Sequence, residues 1–140
     1  MTVFAFLSLS TAIPTDSIAA TTACSLQDAE AADAAVDKLD SWHKVQAFRI
    51  QYGRCDDGSI AEGNSEAVAR LFVDHWDTVP VLVKLMRQDR SLKAFVLHHV
   101  DATLDTADLT RIGKLAVSDC PRGAASFCKE LGAAAGRALR

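Results

Sequence analysis

From Ser25 to the end of the chain, apolar residues return every three or four positions, and the two-residue alternation of a half-buried strand is almost absent. Leu92, Phe95, Val96, His99 and Val100 form one such stripe, and Val68, Leu71, Phe72, His75 and Trp76 form another at the same offsets. Shorter stripes are carried by Leu82, Val83 and Met86, by Leu109, Ile112 and Ala116, and by Phe127, Leu131, Ala135 and Leu139. Side chains at this spacing share one face of an α-helix, and that face must be buried against another.

Start and stop signals divide the pattern. Ser25 with Asp28 can cap a first helix running through Val36 and Leu39. Asp40 or Ser41 either restarts the chain for a segment with Val45, Phe48 and Tyr52 or lies inside one longer helix. Gly53 ends that segment, and the stretch up to Gly63 reads as a connection in which Gly58 and Gly63 can take backbone angles other residues avoid. Asn64 or Ser65 starts the next helix; Asp77 or Thr78 starts another, with Pro80 tolerated in its first turn. Asp89 or Ser91 opens another, and Thr106 caps one that ends before Pro121. The last runs from Ala124 to Arg140, weakened by Gly132 and Gly136. Short loops between short amphipathic helices predict an all-α, compact bundle of five to six helices with sequential neighbours packed roughly antiparallel.

A chain of 140 residues can bury a core without metal or disulfide help. The net charge of −3 and the absence of any Lys- or Arg-rich run exclude the basic stripe of a nucleic-acid binder.

Val3 to Ile13 is apolar but too short to span a bilayer as a helix, and Pro14 and the small residues of "TDSIAATTA" follow it. This reads as a signal peptide over residues 1–19, cleaved near Ala19 or Ala20, or at Ala23, leaving a single helical domain over residues 20–140 with no membrane span. No Lys or Arg precedes the apolar run, so a start further upstream or an apolar first helix are the alternatives. Lipoprotein processing at Cys24 is disfavoured, because "TTAC" lacks an aliphatic residue three positions before the cysteine.

Export turns four cysteines into a disulfide framework with three connectivities. Cys120 and Cys128 flank the short stretch "CPRGAASFC" and are the first pairing to expect; Cys55 then joins Cys24 or stays free, and Cys55–Cys120 competes. Asp56 and Asp57 beside Cys55 work against a reactive thiolate, so a structural bond is the better reading of Cys55.

No Ca²⁺ loop or zinc motif, Gly-rich phosphate loop, G-x-S-x-G or H-E-x-x-H is present, and no cofactor is implied. A histidine on an apolar helix face is most often a core residue bonded to a carbonyl or carboxylate; the metal-site alternative is that His75 and His99 meet from neighbouring helices. Asp77 and Asp101 would then be a cap and a solvated terminus. Asp56, Asp57, Glu62 and Glu66 make an acidic patch entering a helix, where carboxylates favour the dipole. The functional alternative is a protruding loop that docks into a basic cleft, with Trp42 and Trp76 as candidate anchors.

Through "YGRCDDGSIAEG", "HW" at His75-Trp76, "HVDAT" at His99 to Thr103 and "CP" at Cys120-Pro121, the chain resembles a group of small exported proteobacterial proteins without assigned activity. In size, export signal, helicity and cysteine use it is similar, more loosely, to periplasmic immunity proteins of bacterial secretion systems, of the amidase-immunity type. That likeness implies a non-enzymatic periplasmic protein, often a homodimer, that plugs the active site of a secreted peptidoglycan hydrolase. No inhibitory residue carries over, because the family's cysteine motif is not reproduced. The expected function is therefore a binding protein or inhibitor using Asp56, Asp57, Glu62 and Glu66. The alternatives are a small metal- or ligand-binding protein using His75 and His99, and a structural envelope protein.

Overall fold

The computed structural model describes residues 23–140, so the apolar N-terminal run and the proposed cleavage sites lie outside the described residues. Seven α-helices and no strand occur among the described residues: α1 (Leu26–Val36), α2 (Trp42–Tyr52), α3 (Gly58–Asp74), α4 (Val79–Gln88), α5 (Arg90–His98), α6 (Thr106–Ser118) and α7 (Ala125–Ala138). Short 3-10 turns at Gly53–Cys55 and Trp76–Thr78 lead into α3 and α4. The all-α expectation holds, but five to six helices undercounts by at least one. The first two stay separate because the chain turns after Val36 and Ser41 starts afresh, its hydroxyl accepting from the Lys44 N–H at 3.4 Å.

Three predicted caps, Ser25, Ser41 and Asp89, are in place, while Thr78 stands at the head of α4 without a side-chain cap bond. Ser25 accepts from the Asp28 N–H at the head of α1, and Asp89 accepts from Ser91 and Leu92 at the head of α5. At α6 the cap is Asp105, one residue earlier than expected, with Thr106 the first helical residue.

The larger correction concerns α3. It was expected to begin at Asn64 or Ser65 and to carry His75 and Trp76 on its apolar face. It begins at Gly58 and ends at Asp74. Asp57 has the extended backbone of a cap and accepts from the Gly58 N–H at 2.8 Å, and Gly58 supplies φ +54° at the turn into the helix. Gly63 is therefore not a loop residue. A Cβ there would lie 2.9 Å from Val36 Cγ2, so its missing side chain is what lets α1 and α3 approach.

The consecutive pairs α1–α2, α4–α5 and α6–α7 pack together, and α3 lies against α1, α2 and α6. At the centre Phe72 sits 4.8 Å from Trp42 and 6.3 Å from Phe127, ring centre to ring centre. Leu82, Leu92, Leu109, Ile112 and Leu131 are sealed from solvent around them, and each such side chain contributes about 1.5–3 kcal/mol by leaving water. Trp42 is buried, its indole N–H donating to Thr78 Oγ1 at 2.9 Å, so it anchors the core and not an interface. Trp76 is half-buried and donates to the Asp119 carbonyl.

Two disulfides brace the bundle. Cys120–Cys128 closes the turn between α6 and α7 with Cα atoms 6.0 Å apart, and Cys24–Cys55 ties the head of α1 to the 3-10 turn before α3 with Cα atoms 5.0 Å apart. Both separations are ordinary for the bond. The competing Cys55–Cys120 pairing does not form, because each partner is already bonded elsewhere. No described helix is long and apolar enough to cross a membrane.

Candidate functional site: a buried polar network beneath an acidic helix face

Asn64, Ser65 and His99 are the buried polar residues of the described chain, and they converge on one network. His99 follows the last turn of α5, where its backbone N–H still reaches the Phe95 carbonyl and its ring meets Phe95 edge-on at 4.4 Å. One ring nitrogen, Nε2, lies 3.0 Å from Asp56 Oδ2; the other, Nδ1, lies 3.0 Å from Ser65 Oγ. Ser65 Oγ is also 2.8 Å from Asp101 Oδ2. Asn64 donates to Asp56 Oδ1 at 2.9 Å, and the Thr103 N–H and hydroxyl both donate to Asp101 Oδ1.

By contact, then, Ser65, His99 and Asp56 stand in a Ser–His–Asp series. Burial pushes the Asp56 carboxyl up, but hydrogen bonds from His99 and Asn64 and the nearby charge outweigh it and hold it below the ordinary value. Asp101 is likewise pushed up by burial and held down more strongly by Thr103, Ser65 and His99. His99 bridges Asp56 and Ser65, and the Ser65 hydroxyl has both the ring and the Asp101 carboxylate within reach; at 2% exposed, Ser65 is sealed from solvent.

The predicted site residues are thus divided. Asp56 points inward and is part of the network. Asp57 is exposed and caps α3, while Glu62 and Glu66 lie on the solvent face of that helix, with Glu66 3.8 Å from Arg70. The acidic patch is a helix face and not a protruding loop. His75 is exposed at the end of α3, its carbonyl accepting from Thr78, and it shares no partner with the buried His99. No group of three or more His, Cys, Asp or Glu side chains among the described residues is placed to hold a metal ion.

Asp101 is no solvated terminus, since it closes the network. Sequence reasoning also missed Ser65 and Asn64. A signal existed: carried back from Val68 by three and four residues, the apolar stripe lands on Ser65 and Asn64, and four further back on Ile60.

Around the network the helix ends are tied by charge. Arg54 pairs with Asp28 at 2.8 Å beside the Cys24–Cys55 bond, and hydrogen bonds from Arg54 and Ser25 hold Asp28 below its ordinary value. Arg49 on α2 pairs with Asp89 at the head of α5.

The fold and site define an all-α, disulfide-braced bundle, and in its buried polar network Asn64 Oδ1 is left without a hydrogen-bond partner. No protein-family model matches the chain, and neither a curated protein nor a solved structure matches it.

Proposed function

We propose that this chain is a non-enzymatic binding protein of an oxidising, periplasmic compartment, of the inhibitor or immunity class, which occludes the basic cleft of a peptidoglycan hydrolase. The observation that carries the reading is the exposed acidic face of α3, formed by Asp57, Glu62 and Glu66 directly above a buried, hydrogen-bonded base. Asp56 turns inward from one end of this face to His99, and Cys55 beside it is bonded to Cys24. A face held this way loses little conformational freedom on docking, which is how a rigid inhibitor gains affinity. Like charges clustered on it favour fast, salt-sensitive encounter with a cationic cleft.

The test is inhibition of peptidoglycan lysis by a panel of secreted hydrolases with basic clefts, comparing the native chain with an Asp57→Asn, Glu62→Lys, Glu66→Lys variant. Asn keeps the capping oxygen of α3, so the variant is expected to fold. The native chain is expected to block at least one hydrolase, with inhibition weakened by salt and reduced at least a hundredfold in the variant. Equal inhibition by both proteins, or none by the native chain, would overturn the proposal.

A further inference from the structure

The end of α4, the start of α5 and the start of α7 enclose a cleft of about 410 Å³, on elements separate from the acidic face. Val83, Met86 and Phe127 supply an apolar wall, while Arg87, Arg90 and Lys93 bring three positive charges. Glu130 is the one carboxylate in the lining, and Lys93 already pairs with it at 3.0 Å. Neither Arg87 nor Arg90 has a carboxylate within ion-pair distance among the described residues, so the cleft carries two uncompensated guanidinium charges in a chain of net charge −3. Asp89 lies between them in sequence, but it caps α5 and pairs with Arg49.

Arg90 is the first residue of α5 and Lys93 is in its first turn, where the carboxylate at hand, the capping Asp89, is already engaged by the Ser91 and Leu92 N–H groups and by Arg49. The start of α7, which lines the same cleft without a side-chain cap, adds to the positive potential.

We infer that this cleft binds a small amphiphilic anion, its carboxylate or phosphate group held by Arg87 and Arg90 and its apolar body lying against Val83, Met86 and Phe127. Guanidinium groups match both oxyanions through paired N–H donors, and the volume lies within the range of small-ligand sites. The same chemistry is offered by a free alkyl phosphate and by the headgroup end of an anionic lipid.

Titrating the isotope-labelled full chain with decyl phosphate, below its micelle concentration, tests the assignment by NMR. Saturable shifts are expected at Arg87, Arg90 and Phe127, with affinity at least tenfold above inorganic phosphate and above decanol. Arg87→Gln with Arg90→Gln should weaken binding at least tenfold without moving the unfolding midpoint, whereas Arg111→Gln on α6 should leave it unchanged. Vesicles of phosphatidylglycerol that retain the native chain but not the double variant would assign the lipid source; decyl phosphate binding without vesicle retention would assign a free ligand. The inference fails if decyl phosphate gives no saturable shift, if decanol binds as tightly, or if the double variant binds like the native chain.

Discussion

The Cys24–Cys55 end and the α6–α7 hairpin are each closed by one disulfide, yet their interiors are of opposite kinds. Beneath the first lie Asn64, Ser65 and His99, linked to Asp56 and Asp101. Between α6 and α7 the buried positions are Leu109, Ile112, Ala116, Phe127, Leu131, Ala134, Ala135 and the Cys128 of the disulfide, with no buried polar side chain. Apolar packing is tolerant, because neighbours of similar volume can be exchanged with modest loss. A buried polar network is intolerant, because each partner left behind keeps its desolvation cost and loses its bond. The first region therefore dictates which residues meet; the second supplies burial.

The largest expected effect tests that contrast by holding volume nearly constant. His99→Leu leaves Asp56 and Ser65 facing a hydrocarbon and should cost about 3–5 kcal/mol in urea unfolding at neutral pH. Leu131→Met, in the same assay, should cost under about 1.5 kcal/mol, although Leu131 is as deeply buried as His99. Equal losses would mean the network is ordinary packing.

The disulfides sharpen the comparison at the next scale. The bonded residues are 31 apart in sequence for Cys24–Cys55 and 8 apart for Cys120–Cys128. In the loop-closure picture, removing the first should cost about 3.7 kcal/mol and removing the second about 2.5 kcal/mol. Paired Cys→Ala variants, measured by denaturant unfolding, read the difference of about 1 kcal/mol, which depends only on loop length. A reversed order would show that the α6–α7 turn depends on its bond more than its helix packing implies.

How much of this could be read from the sequence follows the same division. The apolar hairpin was legible, since Leu109, Ile112, Phe127 and Leu131 repeat at helical spacing and Cys120 and Cys128 sit close along the chain. So were the caps at Ser25, Ser41 and Asp89, which are local choices of side chain over backbone. The network was not, because its partners are far apart in sequence: Ser65 meets His99 across 34 residues and His99 meets Asp56 across 43. Polar residues on a stripe also interrupt the very period used to find a helix, which placed the start of α3 at Asn64 or Ser65. Glycine misled in the same place, because Gly63 signals a turn in sequence while its actual use is the contact with Val36.

Acid is expected to separate the two regions with the smallest perturbation. Among the described residues, the carboxyls held below their ordinary value are Asp28, Asp40, Asp56, Asp89 and Asp101, all of them before α6. A carboxylate lowered in the folded state stabilises above its unfolded pKa and gives up that contribution as pH falls through the folded one. With an unfolded reference of 3.8, stability should be nearly flat from neutrality to about pH 5 and fall below about pH 4. Protonating Asp56 or Asp101 removes the negative charge that accepts from His99 and Asn64 or from Ser65 and Thr103, and weakens those bonds. Amide exchange followed between about pH 5 and 3 should therefore show α3 and the end of α5 losing protection while α6 and α7 retain theirs. Uniform loss, or loss beginning in the hairpin, would mean that the network does not set the acid limit of this fold.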